Sequence, residues 1–400
     1  MEKLFIACIV VFFYTLNAAA QNNSNSNDAP KEEWYQKIKL RGYAQVRYNG
    51  LIQTNPDLTC EQCDKSWGGD GEFFLRRARL VFYGQIHPRV YFYIQPDFAT
   101  ESGSSQNFGQ LRDVYIDVGL DSKNEFRFRI GQSKIPFGFE NLQSSQNRLT
   151  LDRNDAINSA FRNERDLGLF FYWAPEKIRE RFAMLTSEGY KGSGDYGVFG
   201  LGVFNGQTAN VPDANKKKHI VARVTYPFEI GSQIFEAGLQ GYTGEYTIDS
   251  EDISTGVASN ENRTYIDQRF GVSAILYPKP FGIQAEYNFG KGPEFDKVTN
   301  SITVQDLHGG YLMLNAKLPV KNQLLYPFAK WQYYNGGKKH ELDARSYNVK
   351  EFEVGLEWQP YKNIELVAMY TFSDRRYEDF INLDNRQKGS LLRLQFQVNF

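Results

Sequence analysis

From residue 38 onward, apolar and polar positions alternate with period two in one window after another. Over 38–49, Ile38, Leu40, Gly42, Ala44, Val46 and Tyr48 share one face, and Lys39, Arg41, Tyr43, Gln45, Arg47 and Asn49 the other. Over 125–133, Phe126, Phe128 and Ile130 oppose Glu125, Arg127 and Arg129. The same split recurs over 281–290, where Phe281, Ile283, Ala285, Tyr287 and Phe289 oppose Gln284, Glu286 and Asn288. Over 351–359, Phe352, Val354, Leu356 and Trp358 oppose Glu353, Gly355 and Glu357. Dyad repeats of about ten residues predict strands whose faces meet different surroundings. A soluble sandwich alternates too, so the order among the windows has to decide.

Polar connections at about 50–71, 100–110, 136–165, 205–217, 245–265, 291–306, 336–350 and 373–389 are long, and those between them are short. Long loops on one side and short turns on the other are the pattern of a barrel crossing an outer membrane. Six of the seven short connections hold proline (Pro88, Pro175, Pro227, Pro278 with Pro280, Pro319 and Pro360), and 121–124 does not. Proline cannot donate to a strand ladder and collects where strands stop. Tyr172, Trp173, Tyr226, Phe228, Tyr277, Trp358 and Tyr361 beside them read as an interfacial aromatic belt. The chain ends in SLLRLQFQVNF, with Leu392, Leu394, Phe396, Val398 and Phe400 on one face, and resembles the closing strand of bacterial outer-membrane barrels.

A plain window count gives seventeen strands, one of them at 181–186. Termini on the same side require an even number, and counts from the two ends agree when 175–194 is a single connection. The expectation is an all-β transmembrane antiparallel β-barrel of about sixteen strands over 38–400, with eighteen as the alternative. A soluble all-β repeat or an extracellular sandwich array explains neither the prolines nor the last strand.

Composition supports export. The first twenty residues, MEKLFIACIVVFFYTLNAAA, have the basic residue, apolar core and small-residue end of a signal peptide, with cleavage before Gln21 removing Cys8. Residues 21–37 then form a flexible leader, too short for a globular plug. No later apolar run approaches the 18 or so residues of a membrane helix. Net charge is -1, which gives no bulk pull toward nucleic acid. Cys60 and Cys63 form a CxxC with neither a second pair nor a nearby histidine. In an exported chain this reads as a loop-bracing disulfide ahead of redox chemistry or half a zinc site.

With apolar faces toward lipid, the other faces line water. Lys39, Arg41, Arg47, Arg77, Arg79, Arg127 and Arg129 then project from the early strands, and Glu236, Glu286, Glu353, Glu357 and Glu365 from later ones. The expected interior has a basic wall, interrupted by Asp97, Asp113 and Asp117, facing an acidic one. Each arginine has a plainer reading as a solvated, paired lumen charge. Arg76 falls out of register and is expected on the outer rim, against lipid phosphates or an adjoining protomer.

The longest connection, 135–165, is of a length that is usually functional. Here RIGQSKIPFGFENLQSS (129–145), ERDLGLFF (164–171), FLRRARLVFYG (74–84) and VFGLGVFNGQ (198–207) resemble the phosphate-selective porin O and P family. The resemblance covers nearly all of the exported chain and includes a GQxKxPFGxE signature whose lysine is Lys134. It implies a homotrimeric porin in the bacterial outer membrane, with the third loop folded into the lumen as a constriction. It also implies passive diffusion of small hydrophilic solutes, anions such as phosphate among them, along an arginine ladder at Arg77, Arg79, Arg127 and Arg129. The loop is balanced, however: Arg148, Arg153, Arg162 and Arg165 stand against Glu140, Asp152, Asp155 and Glu164, with no lysine over 136–165. Nearby carboxylates cancel an anion-attracting field, so a general or weakly selective diffusion porin is the rival reading.

An outer-membrane enzyme is the reading from another class. It needs a histidine constellation, and His87, His219, His308 and His340 are scattered without common spacing. Asp152, Asn154 and Asp155 lack the glycine and distal glutamate of a calcium loop. No metal or cofactor is expected.

Overall fold

The computed structural model describes residues 33–52, 71–102 and 105–400. The signal peptide, Cys60 and Cys63 lie outside them. Met1–Lys37 and Ile38–Phe400 form separate units. In the first, the described part is the single 3-10 turn Trp34–Lys37.

The second unit is a closed barrel. Its segments are β1 Lys39–Leu51, β2 Glu72–His87, β3 Val90–Ser102, β4 Ser105–Gly119, β5 Phe126–Lys134 and β6 Arg165–Trp173. Next come β7 Phe199–Phe204, β8 His219–Ile230, β9 Gln233–Thr247, β10 Thr264–Leu276, β11 Phe281–Asp296 and β12 Ser301–Ala316. The last are β13 Leu318–Val320, β14 Gln323–Gly337, β15 Ser346–Tyr361, β16 Ile364–Glu378 and β17 Asn385–Asn399. β12 and β13 are two parts of one strand interrupted at Lys317, and both pair with β14, so the barrel has sixteen strands. Every pairing is between antiparallel neighbours, and β1 pairs with both β2 and β17, which abolishes the sheet edges.

The alternation sets which face is buried. In β1, Tyr43, Gln45, Arg47 and Asn49 are buried while Leu40 is 59% exposed. In β17, Arg393, Gln395 and Gln397 are buried and Leu394 and Phe396 face out. The polar face is thus the interior and the apolar face the outside. No described helix is long and apolar enough to cross a membrane; the strands do so.

As the even strand count requires, 181–186 is no strand; it belongs to the helix Glu176–Ser187, which buries Ile178, Phe182 and Leu185 at helical spacing. Two expectations need correction. Pro227, Pro319 and Pro360 stand inside strand ends, ahead of turns at 231–232, 321–322 and 362–363. Several connections read as long polar loops are instead strands extended beyond the apolar band: β3–β4 leaves only 103–104 between them, and β11–β12 only 297–300.

Candidate functional site

The connection between Lys134 and Arg165 leaves β5 just after Gly131, whose φ is 127°. A Cβ there would lie 2.2 Å from the Val114 carbonyl oxygen, so glycine is required. Two one-turn helices follow, Phe139–Leu142 and Asp155–Asn158. Glu286 of β11 accepts from the backbone N–H of Phe139 and, at 2.8 Å, from that of Glu140, satisfying amides left open at the first turn. Asn154 caps the second, its side chain accepting from the Ile157 N–H at 3.1 Å.

Apolar contacts hold the connection to one side of the barrel. Phe137, Ile157 and Phe161 pack with Phe170, Phe204, Val221 and Tyr242, which come from β6 to β9. Leu149 and Leu151 pack with Tyr311, Met313, Tyr326, Phe328, Val367 and Met369. Buried ion pairs hold it elsewhere. Glu140 Oε1 meets Lys330 Nζ at 2.6 Å. Asp152 meets Arg47 at 3.5 Å, Arg76 at 3.9 Å and, more closely, Arg393. Asp155 meets Lys338 Nζ at 2.5 Å and Arg375 Nη2 at 2.9 Å.

These pairs govern the acids' protonation. Burial alone raises the Asp155 carboxyl, but Arg375 and Lys338 outweigh it and bring the group down to about 2. Burial is likewise outweighed at Glu140 by Lys330 and Arg148, and at Asp152 by Arg393, Arg47 and Arg76, so both stay below the usual carboxylate range.

Glu164 is the hub of the basic residues. Its backbone sits at φ 68°, and its carboxylate faces Arg153 at 3.3 Å, Lys134 at 3.5 Å, Arg112 at 3.8 Å and Arg148 at 3.9 Å. Arg165 bonds it directly and also meets Asp113 at 2.9 Å. Against the upward push of burial, Lys134, Arg153, Arg165 and Arg112 hold Glu164 well below its ordinary value. Lys134 donates to the carbonyls of Asn141 at 2.8 Å and Gln143 at 2.5 Å, so the signature lysine staples the connection to β5. Arg162 is exposed and stands apart from this cluster.

The early arginines face inward as expected, and most are matched by acids. Arg79 meets Asp97 at 2.7 Å, Arg127 meets Asp195 at 2.7 Å, and Arg129 takes both oxygens of Asp117 at 2.7 and 2.8 Å. Arg129 also lies 3.8 Å over the Tyr115 ring. Arg77 is buried, donates to Gln45 Oε1 at 2.9 Å, and has no ion pair among the described residues. Arg41 is half-buried over the Tyr83 ring, and Lys39 is exposed at the barrel's rim.

Arg76 is corrected. The register against β1 runs Gln45 with Arg77 and then Val46 with Leu75, so Arg76 is the extra residue of a β-bulge. The bulge re-aims its side chain inward to Asp152. The expected division into a basic and an acidic wall is also overturned. Arg223, Arg269, Lys330, Arg375 and Arg393 are buried on later strands. Each stood at an inward position of an alternating window, so the alternation was a usable signal for them. Lys338, in a connection, had none.

The connection 174–198 adds a feature absent from the sequence reading. Its helix places Leu185 against Phe139, Ile234, Ile275 and Tyr277. Beyond it, Lys191 Nζ meets Glu357 of β15 at 2.6 Å, and the Lys191 carbonyl accepts from Gln143 at 2.6 Å. The segment therefore leaves β6 and reaches β15, touching the 135–164 connection on the way. On the β2–β5 side a cavity of about 340 Å³ remains, lined by Tyr91, Tyr115, Asp117, Arg127, Arg129 and Arg179 among others.

A closed sixteen-stranded barrel with an apolar exterior and a charged interior is the architecture of an outer-membrane porin. The family described as phosphate-selective porin O and P matches residues 61–400, and the chain belongs to that family. Solved structures agree in fold. The outer-membrane channel DcaP of Acinetobacter baumannii is 14% identical with a TM-score of 0.56, covering 91% of this chain and 97% of its own. OmpF of Salmonella typhi, in complex with daunomycin, is 13% identical at a TM-score of 0.58, with the same 91% and 97% coverage. OmpT of Vibrio cholerae in its trimer form is 10% identical at 0.52, covering 91% and 99%. No curated protein sequence matches the chain. The family and fold are those of a channel, and among the described residues no group of His, Cys, Asp and Glu could hold a metal.

Proposed function

We propose that this porin passes small anions along its β1–β5 wall, with the 135–164 connection inside the lumen as the constriction. The observation that carries the reading is Arg77, a buried cation without a carboxylate partner among the described residues, while Arg79, Arg127 and Arg129 each have one. Farther along, Arg112, Lys134, Arg148 and Arg153 share the carboxylate of Glu164, and Arg165 is bound to both Glu164 and Asp113, so five cations stand against two carboxylates and the local field stays positive. The apolar contacts of the connection fall on β6–β9, β12, β14 and β16, whereas on β1 and β2 it makes polar contacts, Ser145 with Tyr43 and Arg79 and Leu151 with Arg47, which leaves the early strands as the polar route. From Arg77 the path descends past Tyr115 and Arg129 to the cavity at the short-turn end.

The family's description suggests phosphate. Asp97, Asp113, Asp117 and Glu164 favour a milder preference, because each lowers the charge available to a doubly negative ion. The reading adopted is therefore a small-anion channel in which phosphate is one permeant, without a dedicated phosphate trap. Export through a cleaved signal over 1–20, a flexible leader over 21–37 and assembly as a homotrimer belong to the same proposal. For the trimer, the trimer form of Vibrio cholerae OmpT is the precedent.

The test is the reversal potential of the purified protein in a planar bilayer under a KCl gradient. Anion preference supports the reading, and cation preference overturns it. Phosphate that blocks chloride current at micromolar concentration would show the dedicated trap argued against here.

A further inference from the structure

We infer that the outer face of β15–β17, at the end bearing the long connections, is a docking site for the phosphate groups of an outer-leaflet lipid. Outward positions on these three strands form a small grid. Lys350 lies opposite Asp374, and Asp374 opposite Lys388. One step farther out, Asn348 lies opposite Arg376, and Arg376 directly opposite Arg386.

Four cations thus share one patch with Asp374 and Glu378, and Asp384 adds a third carboxylate near Arg386. Asp374 takes Arg386 at 2.9 Å and Lys388 at 3.2 Å, while Arg376 meets Glu378 at 3.3 Å. Glu378 is also held by Lys297 at 2.7 Å. Lys350 is exposed and makes no ion pair among the described residues. The side chains of Arg386 and Lys388 remain 60% and 63% exposed. Like charges directly across a strand pair repel, and Asp374 and Glu378, each shared with a second cation, offset the Arg376–Arg386 repulsion only in part. Elsewhere on this rim Lys217 pairs with Glu245, Lys218 with Asp213 and Lys291 with Asp306.

Position identifies the anion. The lipid-facing band on these strands includes Phe352 and Phe372, which are 43% and 48% exposed. Lys350 and Asp374 stand two residues beyond them, about 7 Å along the strand. That is headgroup depth, at the end that is extracellular in porins. A phosphorylated lipid can seat its acyl chains on Phe352 and Phe372 while its phosphates reach the guanidinium and ammonium groups above. A free anion has no such second contact. The pleat serves two purposes here: Arg375 turns inward to Asp155, and its neighbour Arg376 turns out to the lipid.

Native mass spectrometry of the detergent-solubilised full chain with bis-phosphorylated lipid A tests this. Wild type should retain the lipid and bind its dephosphorylated form at least about tenfold more weakly. The combined Lys350→Gln, Arg376→Gln, Arg386→Gln and Lys388→Gln variant should lose affinity to the same degree. A Lys350→Arg, Lys388→Arg variant should keep it, separating lost charge from a misfolded barrel. Equal retention by the neutralised variant, or equal binding of dephosphorylated lipid, overturns the proposal. So does displacement by millimolar inorganic phosphate, which would make the patch a free-anion site. A change in the number of associated copies with lipid binding intact would make it an interface between protomers, and overturns it as well.

Discussion

Asp155 and Arg375 are 220 residues apart in sequence, and their charged groups meet at 2.9 Å inside the barrel. Arg375 is further held by Glu351 through its Nε at 2.7 Å, so the arginine is fixed by the wall before it reaches the connection. Lys338 closes on the same aspartate from the 338–345 connection. Removing one partner of such a pair leaves a buried charge unmatched, at a cost of about 3–5 kcal/mol. Asp155→Asn should therefore loosen the 135–164 connection without unfolding the barrel, whose strand ladders it does not touch. The expected readout is a higher single-channel conductance with more current noise and an unchanged far-ultraviolet circular dichroism spectrum. Conductance equal to wild type would mean that the apolar contacts of Phe137, Ile157 and Phe161 are sufficient anchors.

The inward arginines should not contribute equally to selectivity. Arg79 and Arg129 are neutralised by Asp97 and Asp117, whereas among the described residues Arg77 is bonded to the neutral Gln45 and to no carboxylate. Even at the dielectric constant of water, a unit charge 4 Å from a passing anion is worth about 1 kcal/mol, roughly fivefold in permeability. Arg77→Gln is expected to lower the anion-to-cation permeability ratio by about that factor. Arg79→Gln and Arg129→Gln should move it less, and each should destabilise the barrel more by orphaning an aspartate, the buried Asp97 or the half-buried Asp117. Reversal potentials of the three variants, with melting temperatures alongside, check the order; equal shifts would return Arg77 to the role of an ordinary lumen charge.

The period-two alternation made the barrel legible, because one face meeting lipid and the other meeting water writes the same signal into every strand. Inward arginines such as Arg77 and Arg129 followed from it, as did the treatment of 175–194 as a single connection. What failed were local departures from the period. Arg76 turned inward because a bulge adds one residue, and alternation says nothing of where a bulge falls. Pro227 and Pro360 were read as turns, yet each stands inside a strand end. Partners could not be seen either. Glu164 looked like one of four acids balancing four arginines, while in space it gathers cations from β4, β5 and β6 as well as from its own connection. Lys338 and Asp155 come together only because two connections far apart in sequence meet.

Acid should release the connection. Asp155 is held at about 2 against an ordinary 3.8, and Glu140, Asp152 and Glu164 are also lowered. A carboxyl depressed in the folded state contributes its stability above the ordinary value and loses it as pH falls through the folded one. The anchors thus hold in full above about pH 4 and weaken toward pH 2. A rise in conductance over that interval is expected for wild type and should be reduced in Asp155→Asn, which lacks the carboxyl held at about 2. A wild-type rise completed above pH 5 would assign the transition to other groups.

Glu164→Gln tests the hub most directly. The carboxylate meets five cations, and three of them have firm acceptors elsewhere: Lys134 has the carbonyls of Asn141 and Gln143, Arg165 has Asp113, and Arg153 has Asn141 Oδ1 at 2.7 Å and the carbonyls of Phe161 and Arg162. Arg112 and Arg148 have weaker claims, their contacts to Glu164 being 3.8 and 3.9 Å. Neutralising the glutamate leaves the first three in place and frees the charge of Arg112 and Arg148 toward the lumen. Anion preference should rise by roughly fivefold or more, by the same Coulomb argument as at Arg77. Phosphate should then slow chloride current more than it does in wild type, since two uncompensated guanidinium groups can hold one doubly charged oxyanion. The buried cations lose their shared counter-charge, so the melting temperature should fall at the same time. A variant with a lower melting temperature and unaltered selectivity would show that Glu164 organises the connection without setting the field in the pore.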